Sequence, residues 1–387
     1  MHIEPFGVEI WMNAHETRCR LNLAETCVAA LTLAELLEIT GQNDAALSPL
    51  LGLPLTYGEI EGSERLRSAI AALYSDRTPH EVIVTHGTVG ANDLVWRTLV
   101  TAGDHVVSVV PTYQQHVSIP ESLGADVSRL HLRAEDGYLP DLDALARLIR
   151  PDTKVVAFTN PNNPTGSLMP RDMLERIITL ADAVGATVLA DEVYRGTAQT
   201  GDGHSPSVAD LSPRAVATAG MSKAFSLAGL RLGWITAPRA VLDAISHHRD
   251  YTTISVGVLD DHFASLALTS ADRILARSVR ITRENLSIVS DWIAGEPGLS
   301  WVRPMAGTTA LLRYDLDIGS EALCRDLLAE TGVLLTPGAV MAMEGTVRLG
   351  FANRTEDLRA GLPLISDFLR TRATGGAKTG AADPRPV

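Results

Sequence analysis

Five short runs of apolar, mostly β-branched residues recur in the first two thirds of the chain: HEVIVTH (80–86), HVVSVV (105–110), KVVAFT (154–159), TVLADE (187–192) and RLGWIT (231–236). Segments of helix length and amphipathic pattern lie among them: RLRSAIAALY (65–74), GANDLVWRTLV (90–100), LDALARLI (142–149) and DMLERIITLADAV (172–184). A strand that is apolar at successive positions is buried on both faces, and a helix between two strands carries the chain back for parallel pairing. This alternation predicts an α/β domain built on a mostly parallel sheet. Within DMLERIITLADAV the apolar positions 173, 174, 177, 178, 180 and 181 keep helical spacing, giving one stripe to pack on that sheet.

After about residue 265 the texture changes. A long helical stretch, ASLALTSADRILARSVRITRENLSIVSDWIAG, leads into strand-like TTALLRYDL and TVRLGFA. The expected organisation is a large domain over 46–265 and a smaller α+β domain made of 1–45 plus 266–370. The tail 371–387, rich in Gly, Ala and Pro, is expected to be disordered.

Composition narrows the function classes. The 387 residues are 45% hydrophobic and 20% charged, as in an ordinary globular protein. A net charge of −13 without a compensating basic cluster argues against nucleic acid or an anionic membrane as partner. Cys19, Cys27 and Cys324 show neither CxxC nor zinc spacing, so no metal site is expected. Three is also an odd number for a disulfide framework, which points to a reducing interior. The N-terminal MHIEPFGVEI lacks the pattern of a signal peptide, and no apolar run approaches the ~18 residues of a membrane helix. Together these features predict a cytoplasmic protein.

The stretch GMSKAFSLAGLRLGW (220–234) carries the chemistry. It holds two cations, Lys223 and Arg231, and no acid to pair with them. Arginine keeps its charge and needs an anion, whereas a neutral lysine is a nucleophile that condenses with carbonyls. An aldehyde bearing a phosphate satisfies both, and pyridoxal 5′-phosphate (PLP) is such a molecule.

Four more motifs follow strands in a compatible order. THGTVGAN (85–92) reads as strand, glycine turn and helix start, where free backbone N–H groups bind anions. NPNNPTG (160–166) reads either as a polar turn or as a ligand loop. ADEVYRG (190–196) puts Asp191 at the end of a strand, pointing into the crevice of a doubly wound sheet. PTYQQH (111–116) offers Tyr113 to stack on an aromatic ring.

Taken together these motifs resemble those of the fold-type-I PLP-dependent enzymes of the class I/II aminotransferase family, over roughly residues 20–370. The resemblance implies an aspartate aminotransferase-like fold, with a seven-stranded sheet in a PLP-binding domain, acting on an L-amino acid. It implies that Lys223 holds PLP as an aldimine and later moves the α-proton, and that Asp191 keeps the pyridine nitrogen protonated. Tyr194 and Asn163 would hydrogen-bond the ring's phenolic oxygen, and Tyr113 would stack on the ring. Arg231, Ser222, Thr88 and the backbone N–H of Val89 would hold the phosphate. Tyr57, in LTYGEIEG, stands where the family takes a tyrosine from a neighbouring subunit, which implies a homodimer with shared sites. Arg348, in TVRLGFA, matches the arginine that grips the substrate carboxylate.

Two departures bear on function. Where family members often carry a serine three residues before the lysine, this chain has Gly220, so one phosphate hydroxyl is expected to be missing. Where many have Gly-Glu-Pro, it reads LNLAETC (21–27). LNLAE and RDYTTISVG (249–257) resemble a subgroup that handles cationic amino acids, the capreomycidine synthases and PLP-dependent arginine oxidases. On that resemblance Glu25, with Glu9 or Glu16, faces the substrate side chain; the alternative is that Glu25 caps a helix or pairs with a surface arginine. Arg249 is the nearby candidate for holding a second substrate carboxylate. His86, His116 and the pair His247–His248 are expected to be structural. Transamination leads, and elimination, replacement, cyclisation or oxidation through the same site is the alternative. A PLP-binding regulator without catalysis is disfavoured. Only about 45 residues, acidic and loop-forming, precede the core, and they do not suggest a DNA-binding helix-turn-helix.

Overall fold

The computed structural model describes residues 2–376. Its centre is a seven-stranded sheet ordered Val82–His86, Leu232–Thr236, Val216–Gly220, Thr187–Asp191, Thr153–Thr159, His105–Val110 and Asp126–His131. Leu232–Thr236 runs antiparallel to both neighbours, and the remaining pairs are parallel. Alternate residues enter different layers. Val155 and Ala157 join Ile83, Leu189 and Ile235 on one face, while Val156 and Phe158 join Val84, Val188 and Trp234 on the other. Both faces are dry, as the unbroken apolar runs require.

Two of the seven strands carry weak sequence signals. Val216–Gly220 reads VATAG, with alanine or glycine at three of five positions, yet every position is buried. Asp126–His131 is the edge strand, and its DVSRLH pattern leaves most positions in contact with water. The long helical stretch after 265 is two helices, Val258–Leu268 and Ala271–Ala294, because Ser270 leaves helical geometry at φ −127°, ψ 32°.

A second layer system is built on a four-stranded antiparallel sheet of Thr336–Pro337, Thr346–Gly350, Thr309–Tyr314 and Leu299–Trp301. The N-terminal segment joins it. Leu21–Asn22 pairs in parallel with Val333–Leu334, and the Trp11 indole of helix Gly7–His15 donates to the Leu335 carbonyl at 2.9 Å. Helix Ala271–Ala294 spans both cores, with Ile274 and Leu275 in the large one and Leu286 and Ile293 in the smaller. Of the tail expected to be disordered from 371, residues up to Gly376 continue the helix Thr355–Gly376; the remainder lies outside the described residues. Among the described residues no helix is long and apolar enough to cross a membrane.

Candidate active site

The carboxyl ends of the parallel strands open onto a cavity of about 760 Å³, closed on its far side by the N-terminal segment. Thirteen of the residues singled out from sequence line it: Glu9, Glu16, Glu25, Thr88, Val89, Tyr113, Asn163, Asp191, Tyr194, Ser222, Lys223, Arg231 and Arg348. Strand ends place them. Asp191 closes Thr187–Asp191, and Lys223 follows Val216–Gly220 by three residues.

The Asp191 carboxylate is buried and fixed on two sides. Its Oδ1 accepts the Val193 N–H at 3.1 Å and its Oδ2 accepts the Asn92 amide at 2.9 Å. Asn92 is in turn held by the Thr218 hydroxyl at 2.7 Å. Behind it lies His116, fully buried, with Nε2 3.6 Å from Asp191 Oδ2. Asn92 was not singled out from sequence, though its helical spacing from Thr88 puts both on the face of Gly87–Leu99 that meets the cavity.

The Lys223 ammonium donates to Thr26 Oγ1 at 2.6 Å and lies 3.5 Å from Cys27 Sγ. Burial works to lower its pKa, but Cys27, Tyr194 and Glu25 around it outweigh that and hold it above the usual lysine value. Burial pushes the Cys27 thiol up to about 11, so at neutral pH the Glu25 carboxylate is the charged partner. Glu25 itself works against burial. Lys223 and hydrogen bonds from Cys27 and Thr26 keep its carboxyl below the ordinary range. Its Oε1 accepts the backbone N–H groups of Thr26 and Cys27 at 2.7 and 2.8 Å. It therefore braces its own loop and caps no helix; the helix Leu33–Ile39 is capped by Thr32 with Glu35.

Glycines shape the anion corner. A Cβ on Gly233 would lie 2.4 Å from the Thr88 nitrogen, so only glycine lets this strand meet the start of helix Gly87–Leu99. A Cβ on Gly220 would stand 2.6 Å from Thr88 Oγ1 and 2.9 Å from the Leu232 carbonyl. The serine that family members often carry has no room there, and the Thr88 hydroxyl occupies that corner. Thr88 Oγ1 is buried without a hydrogen-bond partner. Arg231, exposed toward the cavity, donates to the Ala228 carbonyl at 3.1 Å. An orphaned hydroxyl, a guanidinium, a helix N-terminus, a buried carboxylate and a primary amine around one cavity suit a phosphorylated pyridine aldehyde.

Arg348, on strand Thr346–Gly350, lines the same cavity and is buried. It donates to Asn163 Oδ1 at 3.2 Å, the Ala24 carbonyl at 3.2 Å and Thr336 Oγ1 at 3.1 Å, leaving Nε unpaired. Burial lowers its pKa against the pull of Tyr194, Glu25 and Glu9. The Tyr113 hydroxyl donates to Glu9 Oε1 at 2.8 Å, and burial with that carboxylate raises the phenol's pKa. Burial likewise raises Tyr194. Glu9 and Glu16 line the cavity from the N-terminal side. Two residues stand elsewhere. Tyr57 is 72% exposed on the outer surface. Arg249 is buried at the end of helix Arg239–Arg249, apart from the cavity of its own chain.

The sequence model of "Aminotransferase class I and II" matches residues 54–361. The chain belongs to this family. Its fold is aspartate aminotransferase-like, and as a class I/II aminotransferase-family protein it is a PLP-dependent enzyme. The crystal structure of a PLP-dependent aminotransferase from Streptococcus suis superposes with a TM-score of 0.93 at 42% identity, over 96% of this chain and 99% of that one. The PLP-dependent cyclase OrfR superposes at 0.89 with 30% identity, covering 96% and 98%. Among curated proteins, the capreomycidine synthase of Streptomyces vinaceus is 31% identical over 95% of this chain and 94% of its own.

Proposed function

We propose that this enzyme of the aminotransferase family acts on an L-amino acid with a cationic side chain, with transamination as the leading reaction. One observation carries the substrate class. The cavity is lined by Lys223, Arg231 and Arg348 against Asp191, Glu9, Glu16 and Glu25. Once Arg231 meets a phosphate, Asp191 a ring nitrogen and Arg348 a substrate carboxylate, the acids of the N-terminal wall remain. They favour a cation and repel a second carboxylate.

The site residues fit PLP as set out above, and PLP supplies the electron sink that makes the substrate's α-proton removable. Thr88, Val89, Ser222 and Arg231 would hold the phosphate, and Asp191 would keep the ring nitrogen protonated. Tyr194 and Asn163 would lie at the phenolic oxygen, with Tyr113 against the ring. Lys223 would carry the cofactor and then move the α-proton. Arg348 would exchange its bonds to Ala24, Asn163 and Thr336 for the substrate carboxylate.

The second reading is cyclisation, elimination, replacement or oxidation of a cationic amino acid, as in specialised metabolism. It is favoured by the near full-length likeness to capreomycidine synthase and OrfR. Purified enzyme with arginine, glutamate or alanine, with and without pyruvate, decides between them by mass spectrometry of the products. Keto acid that exceeds one equivalent of enzyme only with pyruvate supports transamination; multiple turnovers to a new product without acceptor support the second reading. Preference for glutamate would overturn the substrate class.

The working form is proposed to be a cytoplasmic homodimer. Asp44–Gly52 has no buried residue, and Leu51, Leu55 and Tyr57 stand in water, an arrangement suited to a partner subunit. Sedimentation giving only monomer at micromolar concentration would refute it. Residues 46–265 would form the cofactor-binding unit, and 1–45 with 266–370 the smaller unit, joined along helix Ala271–Ala294.

A further inference from the structure

The Thr26 hydroxyl is the nearest acceptor to the Lys223 amine, 2.6 Å from Nζ. We propose that Thr26 is a positioning residue for Lys223: its hydroxyl receives the ε-ammonium whenever that group is not bonded to cofactor. The inference rests on the PLP role of Lys223 argued above.

When the amine takes up a proton it becomes a cation with three donors, buried in the cavity wall. A buried ammonium without acceptors gives up its proton or swings away on four rotatable bonds. Thr26 Oγ1 accepts one hydrogen at short range, and Cys27 Sγ, 3.5 Å away, is a weak second acceptor. The Tyr194 phenol lines the same cavity as Lys223 and Thr26.

The loop is built to keep that hydroxyl still. The Thr26 carbonyl accepts the Thr308 hydroxyl at 2.7 Å, and its N–H donates to Glu25. Val28 N–H reaches the Lys223 carbonyl at 3.4 Å, and Ala29 N–H the Ala352 carbonyl at 2.8 Å. All four are backbone attachments at residues 26–29. The Thr26 side chain is left to serve the amine, and replacing it by the isosteric valine leaves the attachments in place. Fixing the proton carrier within reach of the reacting carbon is the kind of placement that raises turnover without tightening substrate binding.

The test compares Thr26→Val with Thr26→Ser. In the full-length chain freed of PLP, the pH dependence of Lys223 acetylation by acetic anhydride, read on the Lys223 peptide by mass spectrometry, reports the amine's proton affinity. The valine variant should shift that midpoint down by roughly one unit, and the serine variant should restore it. In the holoenzyme, Thr26→Val should lower kcat roughly 10- to 100-fold with KM within about threefold, again restored by serine. Valine behaving like wild type, or serine as impaired as valine, overturns the proposal. If the valine variant does not accumulate folded, Thr26→Ala against Thr26→Ser makes the same comparison: alanine impaired and serine restored supports the proposal, and any other pattern overturns it. Borohydride trapping of PLP on Lys223 in each variant separates this inference from the reading beneath it. A trapped adduct with no Thr26 effect sinks this inference alone, whereas no adduct at Lys223 in wild type sinks the PLP role of the lysine itself.

Discussion

The two walls of the cavity are made differently. The sheet-side wall takes Asp191, Lys223 and Arg231 from the ends of buried strands and the turns that follow, and each backbone position is fixed by the ladder behind it. The N-terminal wall takes Glu9 from a short helix and Glu25, Thr26 and Cys27 from a loop held by local hydrogen bonds. Groups that would perform chemistry common to many substrates sit on the stiff side. Groups that would select one substrate sit where sequence can change without disturbing the sheet.

Substitutions on the two walls should therefore fail in different ways. The largest effect belongs to Lys223→Ala, which should lower turnover roughly 10⁴-fold or more while PLP is still retained by the anion corner. Borohydride-trapped PLP should appear on the Lys223 peptide of wild type, and an adduct at any other lysine would break the assignment of the sheet-side wall. Asp191→Asn removes the buried charge beside Asn92, and kcat should fall on the order of 10²–10³-fold with PLP absorbance retained. Activity within a few-fold of wild type would show that no electron-sink role resides there.

The N-terminal wall should respond in selectivity. Glu25→Gln should narrow the preference for arginine over glutamate by roughly ten- to a hundredfold, measured as the ratio of kcat/KM values. An unchanged ratio would place selection elsewhere, with Glu9 the next carboxylate to test. The smallest effect concerns Glu192, Asp191's neighbour, which points away from the cavity. Burial pushes its carboxyl from 4.5 up to about 7, and its Oε1 accepts the Val208 N–H at 2.8 Å. Between about pH 4.5 and 7 the folded chain holds a proton that the unfolded chain releases. Stability should thus decline as pH rises through that window, by up to about tenfold in the folding equilibrium per pH unit. Urea melts of Glu192→Gln should lack that slope while turnover stays within a few-fold of wild type; an identical slope would refute the assignment.

What was legible in sequence follows the same division. Strand ends with buried flanks announced Asp191, and the spacing of Lys223 and Arg231 announced a phosphate-bearing aldehyde, because burial and charge leave few alternatives. VATAG is short and carries alanine or glycine at three of its five positions, and DVSRLH lies at a wet edge, so two strands of the same sheet stayed silent. Thr26 and Cys27 carried no signal, since their nearness to Lys223 depends on a contact across almost two hundred positions. His116, expected to be structural, lies directly behind Asp191, which only the packing of Gln115–Ser122 against Gly87–Leu99 could reveal.

The crowding at Gly220 limits which substitutions the anion corner can accept. The Thr88 hydroxyl on the helix fills that corner, and the Leu232 carbonyl and Gly233 backbone close it from the strand side. With Thr88 present, Gly220→Ser puts a side chain 2.6 Å from the Thr88 hydroxyl and 2.9 Å from the Leu232 carbonyl. Losing the Thr88 hydroxyl alone would therefore not make room for a serine at 220; the backbone of the neighbouring strand would have to move as well, so this strand pair keeps glycine on both sides of the corner.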